Sequence, residues 1–242
     1  MVAQKDKLAN ALPKKVKELK SKGVGGELRG PRGQREIRSD GLEKVLALHR
    51  KGIISKGYKG ERANLFMASL REGYLQGVQL RGANLRSANL QKAELQNSDL
   101  FLSDLRGIDL LEANLIKADL KRAKLRGSTL IAANLSQVNL GQVDLHEADL
   151  REANMQGTSL KKAIMRDCNL FMVELQDADL QDADLLGVDL QGADLQGAKL
   201  QGAEFVGANL KRADLSEAVG FTQDQLDDAE IDNTTRLPED LA

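Results

Sequence analysis

The chain has 242 residues, 35 Lys and Arg against 36 Asp and Glu, 41% hydrophobic residues, two Tyr, five Phe and no Trp. No apolar run approaches the ~18–20 residues that span a bilayer, and the lysine-rich start lacks a signal-like apolar stretch, so a cytoplasmic chain is expected. A single cysteine, Cys168, and two histidines, His49 and His146, exclude a disulfide framework and a multi-thiolate or His-rich metal site. The few aromatics argue against a base-stacking nucleic-acid platform.

Residues 1–38 read as a basic, flexible arm. Pro13 to Lys22 predicts a short helix, with proline at its first position and Gly23 after its end. Leu12, Val16 and Leu19 share one side, against Lys14, Lys15, Lys17, Lys20 and Lys22. Residues 23–38, with Arg29, Arg32, Arg35 and Arg38, have the Gly-rich composition of a linker. The next segment, 39–60, opens with a capping box of Asp40 and Glu43 and predicts a helix to about Lys51, stopping at Gly52. Its Leu42, Val45, Leu46 and Ile53 suit a lid over the segment that starts at residue 61.

From Leu65 to Leu215 every fifth residue is large and apolar, Leu except at Met155, Met165 and Phe205. Two residues before each stands a small or β-branched residue, most often Ala, and between them most often Asp or Asn. The next two residues are mostly polar or Gly, and the register holds throughout 61–220. On an α-helix a step of five turns each Leu ~140° from the last, and on a flat strand it flips each to the opposite face. Either would leave leucines in water, against ~1.5–3 kcal/mol favouring burial of each. The chain must therefore turn once per unit, small residue and Leu pointing inward together. Glycines such as Gly77, Gly82, Gly107 and Gly197 mark the second corner position, which needs a permissive backbone.

Residues 221–242 are acidic and begin with a second capping pair, Thr222 and Gln225, predicting a short helix that carries Leu226 and Ala229. Charge runs downhill along the chain: residues 1–60 are strongly basic, 167–217 and 221–242 acidic. If the units stack in order, the rod is an electric dipole whose ends suit different partners.

The A-(D/N)-L-x-x pattern resembles the pentapeptide-repeat family over about 155 residues. That resemblance implies an all-β solenoid: a right-handed quadrilateral β-helix of twenty residues per coil, here with N- and C-terminal helical caps. With that coil, the rod is roughly 37 Å long at ~4.8 Å per coil. Some members of the family imitate DNA to bind and protect DNA gyrase, giving quinolone resistance. This chain departs from them in its basic extension, its only mildly acidic repeat and the lack of an interrupting loop.

No catalytic, metal or cofactor site emerges. Cys168 occupies an inward position, His146 an outward corner without a nucleophile, and a leucine-filled core leaves no concave pocket. Asp177, Asp179, Asp182 and Asp184 diverge around the rod instead of converging on a cation. Residues twenty apart stack, which gives a basic ladder of Arg86, Arg106, Arg126, His146 and Arg166 and an amide column through Gln76, Gln96, Gln156, Gln176 and Gln196. Leu111, Ile131 and Phe171 make an apolar column, with Phe101, Leu102, Ile116 and Met172 expected around it as a partner surface. The leading reading is a non-catalytic protein-interaction scaffold, its partner another protein. Alternatives are a gyrase-binding DNA mimic, and nucleic-acid or anionic-surface binding through the arm, which equally suits head-to-tail or end-to-end association.

The period itself is testable by insertion. One extra residue between Leu130 and Leu135 should collapse cooperative thermal unfolding, whereas a duplicated block of twenty residues should preserve it.

Overall fold

The computed structural model describes residues 35–36, 39–54 and 62–241. A two-residue strand, β1 (Arg35–Glu36), precedes helix α1 (Ser39–Ile54), and a second strand, β2 (Ala68–Ser69), lies in the first repeats. Helix α2 (Gln223–Asp227) comes after the last repeat. Between β2 and α2 the backbone is held by parallel bridges that join each middle residue to the one twenty positions on, unbroken from Asn64↔Asn84 to Lys199↔Val219. The chain is thus a solenoid with four bridged columns per twenty-residue coil. We number coils from 63–82 (coil 1) to 203–222 (coil 8). The sides are the columns that start at Asn64, Ser69, Tyr74 and Gln79, and each corner is named for the side before it.

One repeat shows why five residues suffice for a side and a corner. The Asn114 amide donates back to Ala93 O at 2.9 Å and the Leu115 amide forward to Asn134 O at 2.8 Å. Ala118 donates to Leu115 O at 2.8 Å, closing the turn, and Lys117 donates forward to Ser136 O at 3.3 Å. The remaining amide, Ile116, donates to the Asn114 side chain at 3.3 Å. Every backbone donor of the unit therefore has an acceptor. The same side-chain cap recurs at all 20 units whose middle residue is Asp or Asn. These residues thus make an Asx-type bond to the corner in addition to solvating the face.

A positive φ at the second corner residue, with the Leu carbonyl bonded three residues on, is the signature of a type II turn. All such positions from Met67 to Glu217 have φ between 53° and 69°, yet only ten are glycine and 21 carry side chains. Left-handed backbone costs an L-residue ~1–2 kcal/mol, so glycine is preferred here without being required.

The inward pair fills the axis. Leu80, Leu85, Leu115 and their equivalents through Leu215 are fully buried, as are the small residues two before them. Where Ser or Thr takes the small position the hydroxyl finds a carbonyl in some units: Ser103 Oγ donates to Leu100 O at 2.5 Å and Thr158 Oγ1 to Leu135 O at 2.8 Å.

Both ends of the stack are engaged. β1 pairs in parallel with β2, Arg35 opposite Ala68 and Glu36 opposite Ser69, so an ordered pair lies inside the stretch read as a flexible linker. Helix α1 runs through Gly52 to Ile54, beyond the stop expected from the sequence. Its Leu46 is buried in the core, Leu42 and Val45 pack against it, and the Ala63 amide donates to His49 Nδ1 at 3.0 Å. At the far end Thr222 caps α2 with the expected capping box, and Gln225 Nε2 donates to Leu200 O and Ala203 O at 3.0 and 2.7 Å. Phe221 packs edge-on against Phe205, ring centroids 5.3 Å apart.

The tail was not legible as structure. Glu230 bridges to Asn209 and Arg236 to Asp214, so it continues the second and third sides as a partial coil. Asp232 anchors it, accepting from the Arg212, Thr234 and Thr235 amides and both threonine hydroxyls at 2.7 to 3.4 Å. The bond from the Thr234 hydroxyl leads in pulling the Asp232 carboxyl down to about 2.

These bonds give two expected outcomes. Asn134→Ala should cost about 1 kcal/mol in chemical denaturation by orphaning the Ser136 amide; Asn134→Asp and the uncapping control Ser159→Ala should cost little. Because the folded Asp232 pKa is depressed, its contribution is complete above the ordinary value of 3.8 and is lost as pH falls through about 2. Pepsin cleavage of the tail should rise across that window, and Asp232→Asn should flatten the rise.

Candidate interaction surfaces

The chemistry-bearing side chains are inert or dispersed. Cys168 is buried, its Sγ donates to Leu145 O at 2.9 Å, and burial pushes the thiol up to about 12, so no thiolate forms at neutral pH. His146 faces outward between Glu147 at 3.4 Å and Asp167 at 3.9 Å. Among the described residues no three His, Cys, Asp or Glu side chains come together in a metal-holding arrangement. Asp177, Asp179, Asp182 and Asp184 occupy the third corner, fourth side, fourth corner and first side in turn.

The stacked register puts Arg86, Arg106, Arg126, His146 and Arg166 on the first corner of successive coils. The ladder is largely neutralised. Arg106 holds both Asp104 oxygens at 2.8 and 2.6 Å, keeping that carboxyl below its ordinary value. Arg126 pairs with Glu147 at 3.4 Å, and Arg166 pairs with Asp184. Arg86 alone of the four arginines has no ion pair among the described residues.

The seven apolar candidates do not form one patch. Leu111, Ile131, Phe171 and Met172 share the second corner, Ile116 sits on the third, and Phe101 with Leu102 on the fourth. Ten residues are half a coil, so Phe101 and Leu111 point to opposite edges of the rod. Phe101 is further covered by the Arg81 guanidinium, 4.5 Å from its ring centre. Met172 is 52% exposed and Leu102 46%, whereas Leu111, Ile131 and Phe171 are half-buried.

Gln96, Gln176 and Gln196 of the amide column bond to neighbouring side chains of the third side. Gln176 and Gln196 donate to Asp194 and Asp214 of the coil above at 2.7 and 3.2 Å, and not to each other. A relay does form on the fourth corner, where Lys161 Nζ donates to Gln181 at 2.7 Å and Gln181 to Gln201 at 2.9 Å.

Two groupings escaped the sequence reading because they cross from corner to side. Lys121, Arg122, Lys161 and Lys162 stand on the fourth corner beside Lys124 of the first side, none in an ion pair among the described residues. Ile164, Leu186 and Val206, 45%, 37% and 51% exposed, climb from the first side onto its corner. A step of 22 and then one of 20 was the signal available. Of the proposed basic arm, Lys14, Lys15, Lys17, Lys20, Lys22, Arg29, Arg32 and Arg38 lie outside the described residues; the Arg35 backbone belongs to β1.

The family model for pentapeptide repeats matches in 8 copies, over residues 63–100, 103–130, 130–167, 174–212 and 189–219. No curated protein sequence matches the chain. Among solved structures it is similar to HetL, a pentapeptide repeat protein involved in heterocyst differentiation regulation from the cyanobacterium Nostoc sp. strain PCC 7120. That likeness has 33% identity over 65% of this chain and 76% of that one, with a TM-score of 0.35. Rfr23 from the cyanobacterium Cyanothece 51142 is 29% identical over 47% of this chain and 90% of its own, with a TM-score of 0.43. QnrB1, a plasmid-mediated fluoroquinolone resistance protein, is 18% identical over 68% of this chain and 89% of its own, with a TM-score of 0.42.

Proposed function

The chain belongs to the pentapeptide-repeat family, and on that premise we propose that it is a non-catalytic scaffold of the cytoplasm that binds another protein along a rigid, right-handed, four-sided rod with helical lids. The observation that carries this reading is the filled axis. Stacked Leu and Ala leave no room for a substrate inside, and the recesses beside Arg62 and Arg86 and beside Arg212 and Arg236 are shallow and open. Chemistry is thereby confined to the outward columns, which suit recognition.

Within those columns we place the protein contact on the second corner, at Leu111, Ile131, Phe171 and Met172. Arg151, which interrupts them, gives its guanidinium to both Asp149 oxygens at 2.9 and 2.8 Å, so its charge is taken up within the rod. Apolar side chains ringed by polar ones are the usual core of such contacts. Gyrase mimicry by the acidic coils 6 to 8 draws less support. Arg166, Lys199, Lys211 and Arg212 stand among those carboxylates, and the bridges run without an interrupting loop.

The test is affinity capture from native lysate with the full chain and with Ile131→Glu/Met172→Glu. Both side chains point outward, so melting should be unchanged while retention of a specific partner is lost. Equal retention by both proteins contradicts this placement, and inhibition of gyrase supercoiling would favour mimicry.

A further inference from the structure

The first corner changes character along the rod. Arginines and His146 hold it from coil 2 to coil 6, whereas Leu186 and Val206 hold it in coils 7 and 8, and Ile164 of the first side leads into them. All three apolar side chains are exposed. Each lies one coil beyond the last, so they rise in steps of ~4.8 Å. Beside Ile164 and Leu186, Arg166 and Asp184 pair with each other. Carboxylates surround this ridge: Asp182 on the fourth corner, Glu204 on the first side and Asp189 on the second. Asp227 and Asp228 stand above it, since the Gly207 amide of that corner donates to Asp228 O at 2.9 Å. None of these five acids is in an ion pair among the described residues. An apolar strip with an acidic border calls for a basic amphipathic partner.

We propose that the ridge binds residues 12–22 of the same chain as a basic amphipathic helix lying along the rod. Those residues lie outside the described ones. In a helix Leu12, Val16 and Leu19 fall on one side and together span ~10.5 Å, against ~9.6 Å from Ile164 to Val206. Lys15 and Lys22 border that side on one edge and Lys20 on the other, where they meet the acids. A helix this short is marginal alone, so contact with the ridge is what orders it. The inference goes beyond the scaffold reading and uses a different corner.

The place where the arm joins the rod fits the same partner. β1 runs parallel to β2 with Arg35 opposite Ala68, so Arg35 sits beside the first corner, one coil below coil 1. With Leu19 against Ile164, Val16 against Leu186 and Leu12 against Val206, Lys22 lies ~24 Å along the axis from Arg35. Thirteen residue steps join them, through a Gly-rich stretch. Such a stretch has a root-mean-square span of roughly 20 Å and reaches about 43 Å when extended. A tether whose natural span is close to the distance it must cover gives a high effective concentration, which favours the chain's own arm over one from outside.

Hydrogen–deuterium exchange on the full chain in ~0.05 M salt is the test. Amides of residues 14–22 should exchange about tenfold or more slowly than those of an unstructured chain. Leu186→Lys/Val206→Lys should abolish that protection and leave thermal melting unchanged, because both side chains point outward. Asp182→Lys/Glu204→Lys should reduce it, as should ~0.5 M salt. Disulfide trapping identifies the partner. Val16→Cys with Leu186→Cys should close within one chain, and Val16→Cys with Glu174→Cys, half a coil from Ile164, should not; the native Cys168 is buried. Free exchange of residues 14–22 in the wild type, or protection that survives Leu186→Lys/Val206→Lys, overturns the proposal. So does a disulfide that links two chains, or protection that appears only with an added DNA duplex or anionic vesicles, since the arm would then serve another partner. Ile131→Glu/Met172→Glu should leave the exchange pattern intact, so this contact and the second-corner contact fail separately.

Discussion

Burial of a leucine at every fifth position is the constraint on which the rest of this structure depends. No regular helix or strand can bury that series, so the backbone must bend once per unit, and bending creates two further demands. One corner residue adopts left-handed backbone, and one corner amide turns away from both neighbouring coils. Asp or Asn at the middle position meets the second demand wherever it occurs, as Asn114 does for Ile116. The first is met by glycine at ten corners and borne by ordinary residues such as Lys92 and Ala132 elsewhere. The consensus A-(D/N)-L-x-x is therefore a list of solutions to one packing problem.

Much of this was legible from the chain alone. The unbroken period gave the solenoid, the inward pair and the corners, the family resemblance supplied the twenty-residue coil and with it the stacking of residues twenty apart, and Thr222 with Gln225 marked the C-terminal helix. What failed has a common cause. Column reading compares residues on one corner and says nothing of where the corners lie around the rod. Phe101 and Leu102 were thus grouped with Leu111, half a coil away, while Lys121, Lys124 and Lys161 went unnoticed as neighbours. The tail escaped because Glu230 and Arg236 pair with the last coil outside the repeat, where no periodic signal exists. Likewise β1 needs the edge of coil 1 as its template, and two residues of sequence cannot announce that.

Electrostatics distinguishes apparent patterns from usable ones. The first-corner arginines form a ladder in sequence, but Asp104, Glu147 and Asp184 engage three of them. Lysines flanking Gly141 are fewer in any one column, yet their charge is not taken up by the same rod. A scaffold of this kind separates stability, held in the axis, from recognition, written on sides that contribute little to folding. Faces can then be specialised independently of one another and of the core.

The stacking of units in order along one axis can be measured directly by electron spin resonance between paired labels. Glu72, Glu152 and Arg212 occupy the same corner position, exposed and four or seven coils apart, while buried Cys168 should not react with the label. The account predicts narrow distributions centred near ~19 Å for 72–152 and ~34 Å for 72–212, in the ratio of the coil numbers. Distances that fail to scale with coil number, or broad distributions for both pairs, would contradict a solenoid whose coils all face one leucine-filled axis.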